Sequence, residues 1–416
     1  MEAKTKRGLF YRWDRSEDSI LKQHLGPQGR LLLIVNTLFL LAEALSGTFV
    51  NVYLWKEGGG YALIGLYNVA FYLAIQITFM FSGKWVKVHN KMSCLRAGIS
   101  IAAAFYLLVL FLGDNAIHYI LPLGFIQGIG HGFFWLSFNI ILFEITSREN
   151  RDKYNGLAGV FSSFVGMAAP LGAGYFISKM TGMKGYYVIF SVSLGVYITG
   201  AILSSFLHKR KAGGKFSVRQ TFSIIQTNKT WRLLFLAMIG QGINESVFTF
   251  LVGILVFVAT NNEWKVGIYT CITSGVAFIS FYAAGKYLLP EWRNKALFWG
   301  SILMSISVLP LFYVTNYSTL LWMGIGISLF SPLFLIPAVS IVFDTIGQNN
   351  KTAEWKVENI IIRETGLNVG RLLALAVFII LISWNDQPLM LNSILFAVSL
   401  AQLITWHYMR QIKIEI

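Results

Sequence analysis

Glu43 and Glu245 each lie near the middle of an apolar stretch long enough to cross a bilayer. A carboxylate at that depth loses its hydration, so its charged form is disfavoured and its proton affinity rises. Such a group can take up and release a proton as its surroundings change, and ionisable groups inside a membrane mark functional sites by default. The two acids are 202 residues apart, and the same offset aligns the residues that follow. Gly65-Leu66-Tyr67 falls on Gly267-Ile268-Tyr269, and Gly83-Lys84 falls on Gly285-Lys286. With offsets drifting between 200 and 204, Glu144 matches Asp344, Asn155 matches Asn359 and Gly166 matches Gly370. The chain therefore reads as a duplicated membrane domain carrying a matched pair of intramembrane acids.

The elements that must hold these acids are apolar helices. Of the 416 residues, 55% are hydrophobic and 13% charged, with a mean hydropathy of +0.61; a soluble domain carries about 25% charged residues. A span needs about 20 mostly apolar residues. Twelve are marked, near 30–55, 61–82, 92–112, 117–143, 155–178, 185–207, 231–258, 265–289, 295–315, 319–346, 357–383 and 388–408. Trp55, Trp85, Trp231, Trp264, Trp292 and Trp384 sit near their ends, as interfacial anchors do. The expected class is an all-α polytopic membrane protein with two six-helix bundles. Residues 1–29 form an N-terminal segment, 30–207 the first bundle, 208–230 a basic linker, 231–408 the second bundle and 409–416 a tail.

The net charge of +15 does not predict a nucleic-acid partner, because the basic residues are confined to short connections between spans. With residues 1–29 inside, 28 basic residues fall on one face and four on the other, and Arg363 and Arg371 lie within span eleven. That bias predicts cytoplasmic termini, and the short loops without a secretory or organelle address lead to the expectation of a bacterial inner membrane. No cleavable leader is expected before the first span. Cys94 and Cys271 read as unpaired core residues without metal spacing. The sequence has no Gly-x4-Gly-Lys-[Ser/Thr] loop and no catalytic cluster. The expectation is a non-enzyme with no cofactor and no metal, monomeric, whose partners are membrane lipid, protons and a small-molecule or lipid-like substrate.

Twelve spans, a six-plus-six duplication and a basic central loop resemble the major facilitator superfamily over essentially the whole chain. The loop between spans two and three reads Gly83-Lys84-Trp85-Val86-Lys87-Val88-His89-Asn90-Lys91-Met92. It keeps the first glycine and the basic character of the family's Gly-x-x-x-Asp-x-x-Gly-Arg-Arg motif, with Lys87 at the Asp position. Span five is similar to the antiporter pattern Gly-x8-Gly-x3-Gly-Pro-x2-Gly-Gly, reading Gly156, Val165, Ala169-Pro170 and Ala173-Gly174, with Gly166 and Gly172 adding small surface. Tight helix packing accounts for the same residues. In span four, Gly124 stands where antiporters place an arginine before Gly128, while Gln127 fits.

The resemblance implies alternating access, with spans one, four, seven and ten lining a central cavity. The polar residues there would be Glu43 and Asn51 of span one, Gln127, His131, Trp135 and Asn139 of span four, and Gln241, Asn244, Glu245 and Phe248 of span seven. The expected proton-coupling groups are Glu43 and Glu245, with His131 as a relay, and the alternative is that each acid forms a structural ion pair. Arg371 would either recognise an anionic group or pair with a glutamate. Glu144 and Asp344, near Arg148 and Lys351, are expected as latches between the halves, with Arg363, Glu364, Pro170 and Pro332 as further gating residues. Pro332 and Pro337 within span ten predict a broken or kinked helix. The expected function is a proton-coupled exporter, an antiporter, of small cationic or amphiphilic compounds. A flippase for an amphiphilic lipid or glycolipid, a proton symporter importing a small anion, and a non-transporting scaffold or sensor remain open.

Overall fold

A computed structural model describes residues 25–88, 90–145, 148–208, 218–347 and 356–412. The spans are helices Pro27–Lys56, Tyr61–Val88, Lys91–Leu112, Ile120–Ile145, Arg148–Lys179 and Lys184–Ser204 in the first half. The second half has Lys229–Thr260, Glu263–Tyr287, Arg293–Ile306, Tyr317–Gly347, Lys356–Trp384 and Pro388–Leu400, the last continued by Gln402–Met409. They are called spans one to twelve in this order. Spans three and four form one apolar stretch by composition. They separate because Gly113 adopts a φ of +51°, a conformation open to glycine, and a 3-10 segment Gly113–Tyr119 follows.

Local chemistry sets several other boundaries. Asn90, Asn228 and Asn262 accept hydrogen bonds from backbone N–H groups at the starts of spans three, seven and eight. Pro27 and Pro388 open spans one and twelve, where a proline costs the helix nothing. Span ten runs unbroken from Tyr317 to Gly347 through both Pro332 and Pro337, so the predicted break is not present. The linker contains a helix, Val218–Thr227, that the basic, glycine-containing sequence did not foretell. It packs against spans seven and eleven.

Packing repeats between the halves. Span one lies on spans five and six, span two on four, and span three on four and six. In the second half, span seven lies on eleven and twelve, span eight on ten, and span nine on ten and twelve. The halves meet where span five crosses span eight and span two crosses span eleven. Close approach there depends on small residues. A Cβ on Gly174 would come within 2.5 Å of the Glu263 carbonyl oxygen, and one on Gly267 within 2.6 Å of the Pro170 carbonyl oxygen. Large apolar side chains such as Phe111 and Trp384 face outward, as they do when the solvent is hydrocarbon.

Candidate functional site

Span one begins on the face that carries the described chain ends, here the terminal face, and each later span crosses in alternation. Among the described residues, two chambers are found between the halves. The first, of about 350 Å³, is lined by Phe71, Tyr72, Ile75 and Phe79 of span two, His131, Trp135 and Asn139 of span four, and Arg363, Glu364 and Arg371 of span eleven. The second, of about 210 Å³, is lined by spans one, seven, eight and ten and includes Phe248. The four expected cavity spans are thus divided. Span four faces the first chamber beside spans two and eleven, while spans one, seven and ten face the second.

Neither central glutamate is among the residues lining these two chambers. Each stands behind a basic residue that is among them. Glu43 accepts a hydrogen bond from Tyr197 of span six, and His131 Nε2 lies 3.1 Å from Glu43 Oε1. This approach lacks the alignment of a hydrogen bond, which leaves the buried Nε2 without such a partner. The imidazole is held edge-on to the rings of Phe39 and Phe71, at 5.4 and 5.0 Å between centroids. Glu245 accepts from Arg371 Nη2 at 2.6 Å and from Gln241 Nε2 at 2.7 Å. The guanidinium also stacks over Tyr72, 5.0 Å from the ring centre, and donates from Nη1 to Asn368 at 2.9 Å. Spans seven and eleven can present these groups to each other because glycines face backbone at the crossing. A Cβ on Gly242 would collide with the Leu367 carbonyl, and one on Gly370 with the Ile239 carbonyl.

The Arg371 cluster reaches across the interface between the halves. Asn368 donates to Gln76 Oε1 at 3.1 Å, and Gln76 Nε2 donates to Thr365 at 2.9 Å. A chain of polar contacts therefore runs from Glu245 through Arg371 and Asn368 to Gln76 of span two. Arg363 pairs with Glu364 at 3.1 Å on the same chamber wall. The Nε groups of Arg363 and Arg371 are both buried without a hydrogen-bond partner among the described residues.

Other predicted residues have different settings. Gln127 accepts from Tyr67 and is buried between spans two and four. Asn244 donates to the Val398 carbonyl of span twelve at 3.3 Å, and Asn51 Oδ1 is buried without a partner among the described residues. Pro170 lies at the crossing of spans five and eight, and Pro332 lines neither chamber. Glu144 pairs with Lys91, and Asp344 with Arg293 at 2.8 Å. Each pair joins consecutive spans of one half, three to four and nine to ten, so these contacts do not bridge the halves. Lys351 and the side chain of Arg148, named beside these acids, lie outside the described residues.

The ion pairs that do bridge the halves were not foreseen. Near the terminal face, Lys87 of span two pairs with Glu358 of span eleven, which is fully buried. At the opposite face, Lys56 of span one pairs with Glu263 of span eight at 2.8 Å, and Tyr186 donates to the same oxygen at 2.9 Å. One signal was present in the sequence: Lys56 is among only four basic residues on the sparsely charged face. Tyr197 and Gln76 gave none, since a tyrosine or glutamine in a span is unremarkable until its neighbour is known.

The profile described as Major Facilitator Superfamily matches residues 32–353. The uncharacterised protein YqgE of Bacillus subtilis (strain 168) is 33% identical over 384 residues, spanning 92% of this chain and 89% of that protein. Two solved structures share the fold. An inward-facing bacterial homologue of the iron transporter ferroportin gives a TM-score of 0.64 at 14% identity, over 93% of this chain and 100% of that one. FucP in its outward conformation gives 0.64 at 14% identity, over 92% and 98%. Among the described residues, no group of three or more His, Cys, Asp or Glu side chains gathers as a metal site would require.

Proposed function

The chain belongs to the Major Facilitator Superfamily, a family of membrane transporters, and on that premise we propose that it is a proton-coupled secondary transporter carrying a small molecule with an anionic group by alternating access. The observation that carries this reading is the pairing of repeat-related glutamates with unlike bases on one chamber wall. Arg371 keeps its charge at any physiological pH. His131 is of the one side-chain type that ordinarily changes charge between about pH 5 and 8. The Glu43–His131 pair is thus the proton carrier, and the Glu245–Arg371 pair answers to the substrate.

The charges on the chamber wall favour an anionic cargo. Glu43, Glu245 and Glu364 are each engaged by a partner, so a cation entering the first chamber meets no unengaged carboxylate on its wall. Arg363 and Arg371 instead offer two unpartnered N–H groups, which suit a carboxylate or phosphate oxygen. A protonated His131 adds to the same positive field, so proton and anion bind together. That is symport, and an inward proton gradient would then drive uptake. The 28-to-4 bias of basic residues supports cytoplasmic termini, and the proposed setting is a monomer in a bacterial plasma membrane.

Rocking of the halves would exchange the two bridging ion pairs. Opening toward the terminal face separates Lys87 from Glu358, and opening toward the other separates Lys56 from Glu263. A second reading, proton-driven export of an amphiphilic aromatic compound, is favoured by one observation: Phe71, Tyr72, Phe79 and Trp135 wall the same chamber.

Proteoliposomes loaded with a pH dye separate the two. Small carboxylates or phosphates that carry protons with them into the lumen support symport. An organic cation that exchanges for protons supports export. Proton movement that persists unchanged in Glu43→Gln sinks the assignment of the carrier.

A further inference from the structure

The second chamber has a chemistry unlike the first. Its polar groups are hydroxyls: Thr48 of span one, Thr249 of span seven, Thr270 and Thr273 of span eight, and Ser328 of span ten. Among the described residues, its lining has no carboxylate, amine, guanidinium or imidazole. Phe248 and Tyr269 supply aromatic surface, and Gly324 leaves room for the Tyr269 ring, because a Cβ there would collide with its hydroxyl.

The hydroxyl protons are largely engaged already. Thr249 donates to the Glu245 carbonyl at 2.6 Å, Thr270 to the Val266 carbonyl at 3.0 Å and Thr273 to the Tyr269 carbonyl at 3.0 Å. Each oxygen keeps acceptor capacity. The wall is therefore uncharged and rich in acceptors, a surface that a ligand satisfies by donating hydrogen bonds. A charged group entering there would lose its hydration with no counter-charge in return.

Position links this chamber to the first. Thr48 lies just over one turn beyond Glu43, and Thr249 one turn beyond Glu245, both toward the face opposite the chain ends. Tyr72 of the first chamber faces Thr249 of the second. The layer of the two glutamate pairs thus stands between a charged chamber and a hydroxyl-lined one.

We propose that the second chamber is a binding subsite for a neutral, hydroxyl-rich group of polyol or sugar type. Its hydroxyls donate to the threonine oxygens and its C–H faces lie on Phe248 and Tyr269. The inference rests on the chain moving a small molecule between its halves, but not on proton coupling or on the sign of the cargo.

The test is equilibrium binding to the purified full-length protein in detergent, followed as a saturable rise in thermal midpoint. The probes are hexoses, hexitols and inositol, with acetate and tetramethylammonium as charged controls. At least one neutral polyol should stabilise the wild type saturably. Its affinity should fall at least tenfold in Thr270→Val or Thr249→Val and be retained in Thr270→Ser, which keeps the oxygen. Thr→Val is nearly isosteric, and the serine variant separates a lost acceptor from a folding defect. The proposal is overturned if no polyol shifts the wild type, or if the shift survives unchanged in both valine variants. A polyol response that persists in Glu43→Gln while proton movement disappears would uphold the subsite and the carrier separately. Proton coupling without any polyol response would keep the carrier and reject the subsite.

Discussion

Glu43 and Glu245 occupy corresponding places in the two halves, at the same depth and on corresponding helices, yet their surroundings make them different devices. Glu43 has Tyr197 and His131 as neighbours, one hydroxyl donor and one imidazole. Glu245 has Arg371, whose charge does not switch, and a bond network that crosses to the other half through Asn368 and Gln76. Duplication supplies two matched acids, and divergence at the partner position would separate the proposed proton carrier from the pair proposed to answer to the substrate. The contrast sharpens the expectation of two coupling acids with Glu43 favoured, because Glu245 is paired with an arginine and Glu43 with a histidine.

The comparison breaks most visibly at the arginine. Arg371→Met leaves Glu245 without its counter-charge, and removing one partner of a buried pair costs about 3–5 kcal/mol. The thermal midpoint in detergent should drop sharply, and Glu245→Gln combined with Arg371→Met should recover most of the loss. A single variant as stable as wild type would erase the distinction between the halves.

Glu43→Gln has the opposite profile. The amide oxygen still accepts from Tyr197, so the stability change should stay near 1 kcal/mol or below, while dye-reported proton movement is abolished. His131→Asn should flatten the dependence of transport rate on pH over about pH 5–8 with the substrate still bound. A pH profile identical to wild type would remove His131 from the carrier.

Gln76→Ala deletes two hydrogen bonds across the interface, each worth about 0.5–1.5 kcal/mol. About 1.4 kcal/mol is a tenfold change in an equilibrium. Cysteine cross-linking across the Lys87–Glu358 and Lys56–Glu263 contacts should report a redistribution of roughly that size between states. The smallest effect belongs to Asp344→Asn. Its pair with Arg293 is half exposed and internal to one half, so the change should be under about 1 kcal/mol and should leave the cross-linking pattern unaltered.

Much of this was legible before any coordinates. Span limits follow apolar length, because a bilayer has a definite thickness. The matched positions Glu43 and Glu245, Glu144 and Asp344, and Gly166 and Gly370 follow from the repeat offset. The candidate cavity was legible in part. Trp135, Asn139 and Arg371, expected in the cavity, line one chamber together with His131, expected as a relay, and Arg363 and Glu364, expected as gating residues. Gln127, Asn51 and Asn244 face elsewhere, because polarity in a span reports that a residue avoids lipid and not which of several interior surfaces it meets. The bridging pairs Lys87–Glu358 and Lys56–Glu263 join residues 271 and 207 positions apart, and no periodicity connects them.

The sequence by itself determined a twelve-span membrane protein with two matched acids inside its spans, since hydrocarbon admits few other solutions for such a chain. Tertiary structure alone decided which base stands before each acid, which residues clamp the halves together, and that a charged chamber and a hydroxyl-lined one lie on either side of that layer. The reason is that helix rotation and crossing, not order along the chain, determine which side chains meet. Those are set by close backbone contacts at Gly242, Gly370, Gly174 and Gly267, between segments far apart in sequence.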